Sequence, residues 1–302
     1  MNRFKPKRNS NNLIFYFGIF IISIAFTIKY LYKEDLINED TLVDILISDN
    51  LGSYKKNITN VDFVVKYLLD VELNKTESVI KENDKTGETL VVEENLTPIV
   101  YIYNTHQEEK YQSAYLGEYN IASSVFLASK ILKEYLEDLG IGVIVEEENV
   151  TSKLKSLGWK YGSSYKVSRM FMEDAFKEHS TLKYFVDVHR DSSDYSKTTV
   201  DINGEKYAKL LFVVGLDNEN YTGNLKLAEN LKEKIKLEEP TLVRGVLKKS
   251  GKGVNGIYNQ DFNSNTMLIE VGGQYNNINE VNNTLKVFAK VLSKYIKEDI
   301  YD

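Results

Sequence analysis

The chain has 302 residues, 42% of them hydrophobic, with no cysteine and a formal charge of −6. Without cysteine there is neither a disulfide framework nor thiolate chemistry, so any metal must be held by His, Asp or Glu, and the only histidines are His106, His179 and His189. Residues 1–33 carry six Lys and Arg and no acid, which leaves 32 basic against 44 acidic residues in the remainder; that excess argues against nucleic acid as a partner.

Arg3, Lys5, Lys7 and Arg8 precede an uncharged run from Leu13 to Ile28, prolonged past Lys29 by Tyr30, Leu31 and Tyr32. The run is short for a spanning helix, but the stem of Lys29 can snorkel to the interface. No small-x-small cleavage signal follows, so residues 1–33 read as a cytoplasmic basic tail and an uncleaved transmembrane anchor. The basic flank places the amino terminus inside and everything after Lys33 outside, a single-pass protein of the cell membrane. Residues 34–97 read as a small helical spacer and linker. Thr41–Leu51 and Val61–Leu73 have apolar residues at helical spacing, and Asn74–Asn95 is polar with little to bury.

From Pro98 to Asp302 strand and helix signals alternate. Ile99–Thr105 (IVYIYNT) reads as a strand, and Asn120–Leu139 as an amphipathic helix closed by Gly140. Ile141–Val145 is the next strand, Ser163–Lys177 a helix, and Tyr184–Asp191 a buried strand. Thr199–Ile202 and Tyr207–Val214 flank Asn203-Gly204, which predicts an antiparallel hairpin on the edge of the sheet. Leu225–Leu237 is helical, Thr266–Val271 a buried strand and Val281–Ile296 a closing helix. The fold class this implies is α/β, a mixed and mostly parallel sheet flanked by helices.

Two of the three histidines close apolar strands. His189 ends YFVDVHRD, and His106 follows Ile99–Thr105; the carboxyl ends of strands are where ligands bind in open α/β sheets. Glu270 stands within the apolar run TMLIEVGG. A carboxylate there is expensive to bury without a partner, so it either pairs with Arg190 or Arg244 or serves as a general base beside a metal. Two histidines and one carboxylate make a suitable zinc set for hydrolysis. The carboxylate is either Glu109, three residues after His106, or Glu118, just before the following helix. Asp187 points to the same face as His189 and is placed to support its imidazole. Arg190, if the strand ends before it, is free to receive a substrate carboxylate or oxyanion. His179, near a helix end, has only a dipole-complementing role.

The motifs NTHQEEKY, VDVHRDS, NQDF at Asn259–Phe262 and LIEVGG, in this order, resemble the stage II sporulation protein P family. Members are membrane-anchored, zinc-dependent peptidoglycan hydrolases of endospore-forming bacteria, related to N-acetylmuramoyl-L-alanine amidases. The resemblance covers about Pro98 to Lys297 and implies an amidase-like fold with zinc at His106 and His189 and a catalytic Glu270. Its T-H-x-x-E-x-Y pattern puts Glu109 at the acidic position, whereas the related amidases carry their middle ligand where Glu118 stands. It further implies cleavage of the amide joining N-acetylmuramic acid to L-alanine during engulfment, cutting of peptide cross-links, and other engulfment proteins as partners. Two rivals stand beside this reading: a zinc carboxypeptidase-like peptidase, whose motif order is similar, and a non-catalytic wall-binding scaffold.

Overall fold

The computed structural model of the chain describes residues 96–112, 122–219 and 221–301. The anchor, most of the 34–97 spacer, and Glu118 fall outside these residues. In chain order the elements are β1 (Pro98–Tyr103), α1 (Val125–Asp138), β2 (Gly142–Val145), α2 (Val150–Ser156), a 3-10 turn (Tyr161–Ser163), α3 (Ser164–Glu178), β3 (Tyr184–Asp191), α4 (Tyr195–Thr198), β4 (Thr199–Ile202), β5 (Glu205–Ala208), β6 (Leu210–Gly215), α5 (Tyr221–Glu238), β7 (Val243–Lys249), β8 (Thr266–Gly273) and α6 (Ile278–Tyr301).

Six strands form the main sheet in the order β2-β1-β3-β8-β6-β7. The first four run parallel. β6 is antiparallel to β8 and carries β7 parallel to itself. This is the mixed, mostly parallel α/β sheet that the alternation of signals predicts. The interior strands are apolar without interruption because both of their faces are covered: all of β6 and the first six residues of β3 are buried.

α1, α6 and α5 share one face of the sheet, α1 over β1 to β3 and α5 over β6 to β8. α1 begins where the Ser124 side chain accepts from the Leu127 N–H, and it buries Val125, Ala128, Ile131, Leu132 and Leu136 at helical spacing. It ends at Gly140, whose φ of 76° suits a left-handed residue after a helix and whose N–H returns to the Glu137 carbonyl. α3 covers the other face, where Met172 packs with Tyr101, Tyr103, Leu182 and Phe185. α2 is fixed to α3 through Val150, Leu154, Val167 and Phe171.

The hairpin departs from expectation. Asn203 and Gly204 do form its turn, with φ of 54° and 87°, but β4 and β5 make a separate two-stranded sheet. The stretch expected as one strand over Tyr207–Val214 breaks at Lys209, whose N–H donates to the Thr198 carbonyl (2.6 Å) and whose carbonyl accepts from Gly272 (2.9 Å). Its apolar remainder enters the main sheet as β6, antiparallel to β8. The edges of the main sheet are instead β2 and β7, the latter a strand whose half-exposed VRGVLKK pattern hides its pairing. Among the described residues no helix is long and apolar enough to cross a membrane.

Candidate active site

The carboxyl ends of β1, β3 and β8 converge, and the sequence between Asn104 and Gln112 is pinned across them bond by bond. Buried Asn104 donates from Nδ2 to the Val188 carbonyl (2.7 Å) and accepts at Oδ1 from Ser129 Oγ (3.1 Å). Thr105 donates to Asp187 twice, from its N–H to Oδ1 (2.9 Å) and from Oγ1 to Oδ2 (2.7 Å). A turn follows, closed by the Glu109 N–H on the His106 carbonyl (3.0 Å). The Glu109 carboxylate then accepts from the backbone N–H of Arg190 (3.1 Å), and the Gln112 N–H reaches the Asn276 carbonyl (2.9 Å). β1, β3 and the segment after β8 are thereby joined around one point.

His189 and Glu270 are paired across β3 and β8, so their side chains leave the sheet on the same face. The His106 ring stands edge to face with that of His189, centroids 5.3 Å apart, and stacks on Tyr161 at 4.9 Å. Tyr165 meets His106 edge-on at 5.7 Å and Tyr258 at 5.6 Å. The three tyrosines wall the site on the α3 side.

His189 lies between two carboxylates. Its Nδ1 is 3.5 Å from Glu109 Oε2, and its Nε2 is 3.0 Å from Asp187 Oδ1. The Asp187 oxygen lies off the N–H axis, so Nε2 is buried without a hydrogen bond, as is His106 Nδ1. Burial pushes His189 down, but Asp187 and then Glu109 outweigh it and raise its pKa to about 10. Burial lowers His106, helped by the neighbouring His189 charge. Burial would raise Glu109, yet His189 and the Arg190 N–H hold it below its ordinary value. Glu270 is pushed up to about 7, first by burial and then by Asp191, against the pull of His189 and Arg244.

The structure brings together His106, Glu109, His189, Asp187 and Glu270. Neither arginine forms an ion pair or hydrogen bond with Glu270. Arg190 donates instead to the carbonyls of Lys110 (3.0 Å) and Asp191 (3.3 Å), tying down the turn after His106. Arg244 pairs with Asp191. His179 caps α3, away from the strand ends, with its Nε2 3.8 Å from the adjacent Glu178. Among the described residues no three His, Asp or Glu side chains already stand as a metal cluster. The donors nonetheless suit zinc in kind: His106 Nδ1 is without a hydrogen bond, and His189 presents Nδ1 3.5 Å from the Glu109 carboxylate while Asp187 stands at its Nε2.

Sequence reasoning missed Tyr161 and Tyr165, around the start of α3, and Tyr258, in the distant loop before β8. The helix that leads to Tyr161 starts at Asn149, whose side chain accepts from the Ser152 N–H (2.7 Å). The NQDF motif proves to be a brace. Asn259 donates to Ser168 Oγ (2.9 Å), Gln260 exchanges bonds with Val213 and Gly215, and Phe262 packs on Phe185 at 4.8 Å.

The family model for stage II sporulation protein P matches residues 38–293. The chain belongs to that family. Stage II sporulation protein P of Bacillus subtilis (strain 168) is 34% identical over 233 residues, which are 75% of this chain and 57% of that protein. The chain thus matches little more than half the length of this relative. Among solved structures, N-acetylmuramoyl-L-alanine amidase AmiC2 of Nostoc punctiforme is 13% identical with a TM-score of 0.39, covering 66% of this chain and 97% of the amidase. The CwlD amidase of Clostridioides difficile, solved with the GerS lipoprotein, is 15% identical with a TM-score of 0.41, covering 67% and 98%.

Proposed function

We infer that this chain is a peptidoglycan hydrolase of the amidase kind acting in sporulation. Its reaction is cleavage of the amide between N-acetylmuramic acid and the L-alanine of the stem peptide, with zinc as cofactor. The observation that carries the reading is the pairing of Glu270 with His189 across β3 and β8, beside His106, with Glu270 titrating near neutrality. Family membership supports the setting.

His106 and His189 would hold the ion, with Glu109 or Glu118 completing the set. Zinc, when bound, supplies a Lewis acid and a water that ionises near pH 7. Glu270, with a pKa close to the working pH, takes a proton from the attacking water and returns it to the leaving amine. Thr105 fixes Asp187, and Asp187 orients the His189 ring. Arg190 acts as a positioning residue through its bonds to the turn that carries His106 and Glu109. Residues 1–33 anchor the chain in the cell membrane with the catalytic domain, 98–302, outside, where other engulfment proteins can meet the 34–97 spacer.

Mass spectrometry of digested muropeptides tests the reading. Release of intact stem peptides supports the amidase, and scission of cross-linked dimers adds the endopeptidase. Loss of terminal residues alone would indicate the carboxypeptidase, and binding to sacculi without any product would indicate a scaffold.

A further inference from the structure

A groove of about 280 Å³ lies between α3 and the loop before β8. Tyr165, Lys166 and Arg169 line one bank; Asn255, Ile257 and Asp261 line the other. It opens beside the active site, because Tyr165 is both a wall of the groove and the edge-on neighbour of His106 at 5.7 Å.

The banks are held in place before any ligand arrives. Arg169 Nη1 binds both carboxylate oxygens of Asp261 (3.0 and 2.9 Å), its Nε binds Glu173 (2.9 Å), and its guanidinium lies 4.8 Å above the Phe262 ring. Asn259 Nδ2 ties the loop to the Tyr165 carbonyl (3.1 Å) and to Ser168 Oγ (2.9 Å). The loop turns through two consecutive left-handed residues, Tyr258 and Asn259, with φ of 55° and 56°. A preformed groove loses little freedom on binding.

The charge of the groove is what selects its ligand. Arg169 is shared between Asp261 and Glu173, whereas Lys166 has no ion pair or hydrogen bond with any described residue. Lys166 is thus the groove's one cation without a direct partner among the described residues, in a chain that beyond residue 33 has 12 more acids than bases (44 against 32). We propose that this groove is the subsite for the acidic part of the stem peptide, with Lys166 receiving the free carboxylate of the residue after L-alanine. The proposal rests on the reading of the chain as a stem-peptide amidase. An extended chain advances about 3.3–3.6 Å per residue, so a group one or two residues from a scissile bond beside His106 lies about as far off as the Tyr165 ring, 5.7 Å from that of His106.

The test uses two muramyl dipeptides that differ at one group, N-acetylmuramoyl-L-alanyl-D-glutamate with a free α-carboxylate and its isoglutamine amide. Binding is measured by calorimetry to the zinc-loaded 302-residue chain carrying Glu270→Gln, and turnover to the chain with Glu270 intact. The acid should bind about tenfold more tightly than the amide, the size expected of a hydrogen bond to a charged group. Lys166→Ala should abolish the difference, Lys166→Glu should reverse it, and Lys166→Arg should keep it. Equal binding of acid and amide to the parent chain, no binding of either, or a preference that survives Lys166→Ala would overturn the proposal. A preference that depends on Lys166, found together with a chain that never releases peptide, would uphold the subsite and refute the amidase instead.

Discussion

The surroundings of Glu270 oppose its ionisation, and this has two measurable consequences. Its pKa is raised from 4.5 to about 7, so the folded chain holds a proton that the unfolded chain has released between those values. Stability of the metal-free protein should therefore fall as pH rises from 4.5 to 7, and Glu270→Gln, which cannot ionise, should lose less over that window. Urea unfolding at several pH values checks this; identical pH dependence in the two proteins would contradict it. In catalysis the sign is opposite, because only the ionised carboxylate accepts a proton. kcat/KM should climb with pH to a plateau, with a midpoint at or below 7 once a dication stands nearby. Asp187 works at one remove. Wholly buried, it holds Thr105 through both oxygens and stands 3.0 Å from His189. Asp187→Asn should lower zinc affinity about 10- to 100-fold, measured by competition with a chromophoric chelator. Unchanged affinity would reduce Asp187 to a purely structural residue.

At the scale of elements, the end of β8 is held in place by its close packing. Gly272 has a φ of 66°, and a Cβ there would meet Asn276 Oδ1 at 2.6 Å and Ala208 Cβ at 2.7 Å. Gly272→Ala should destabilise by about 2 kcal/mol or more through strain and clash, seen as a lower Tm. Gln260, fully buried, accepts from the Gly215 N–H and donates to the Val213 carbonyl. Gln260→Ala leaves both backbone groups unpaired, for a loss of about 2–4 kcal/mol in chemical unfolding. Such braces could not be read from sequence, where NQDF is only a polar loop. Most helices were legible because their apolar residues repeat at 3.6, and the interior strands because they are short, unbroken apolar runs. β7 was not, since an edge strand rich in Lys and Arg lacks that repeat, and β6 was merged with β5 because Lys209 bears no turn signal.

In the whole molecule, the residues that could be foreseen as a site are those at strand ends. His106, His189 and Glu270 stand together because parallel strands bring their carboxyl ends to one edge, a consequence of topology that a sequence can reveal. The tyrosine wall and the Lys166 groove arise from packing α3 against distant loops, and no local pattern announces them. The described core closes on itself, with α1, α5 and α6 on one face and α3 on the other. A Lys85–Asp302 fragment, one compact unit of the chain, should therefore unfold cooperatively in calorimetry without the residues before it; a broad, non-cooperative melt would show that they complete the core. The central claim, that Glu270 performs chemistry beside a metal held by His106 and His189, meets its most direct test in one comparison. Purified muropeptides are digested with the parent chain and with Glu270→Gln, each assayed for bound zinc, and the products are read by mass spectrometry. The account requires equal zinc in both proteins, with intact stem peptides released by the parent and a loss of at least about 100-fold in the variant. Equal release by Glu270→Gln at full zinc content would contradict it.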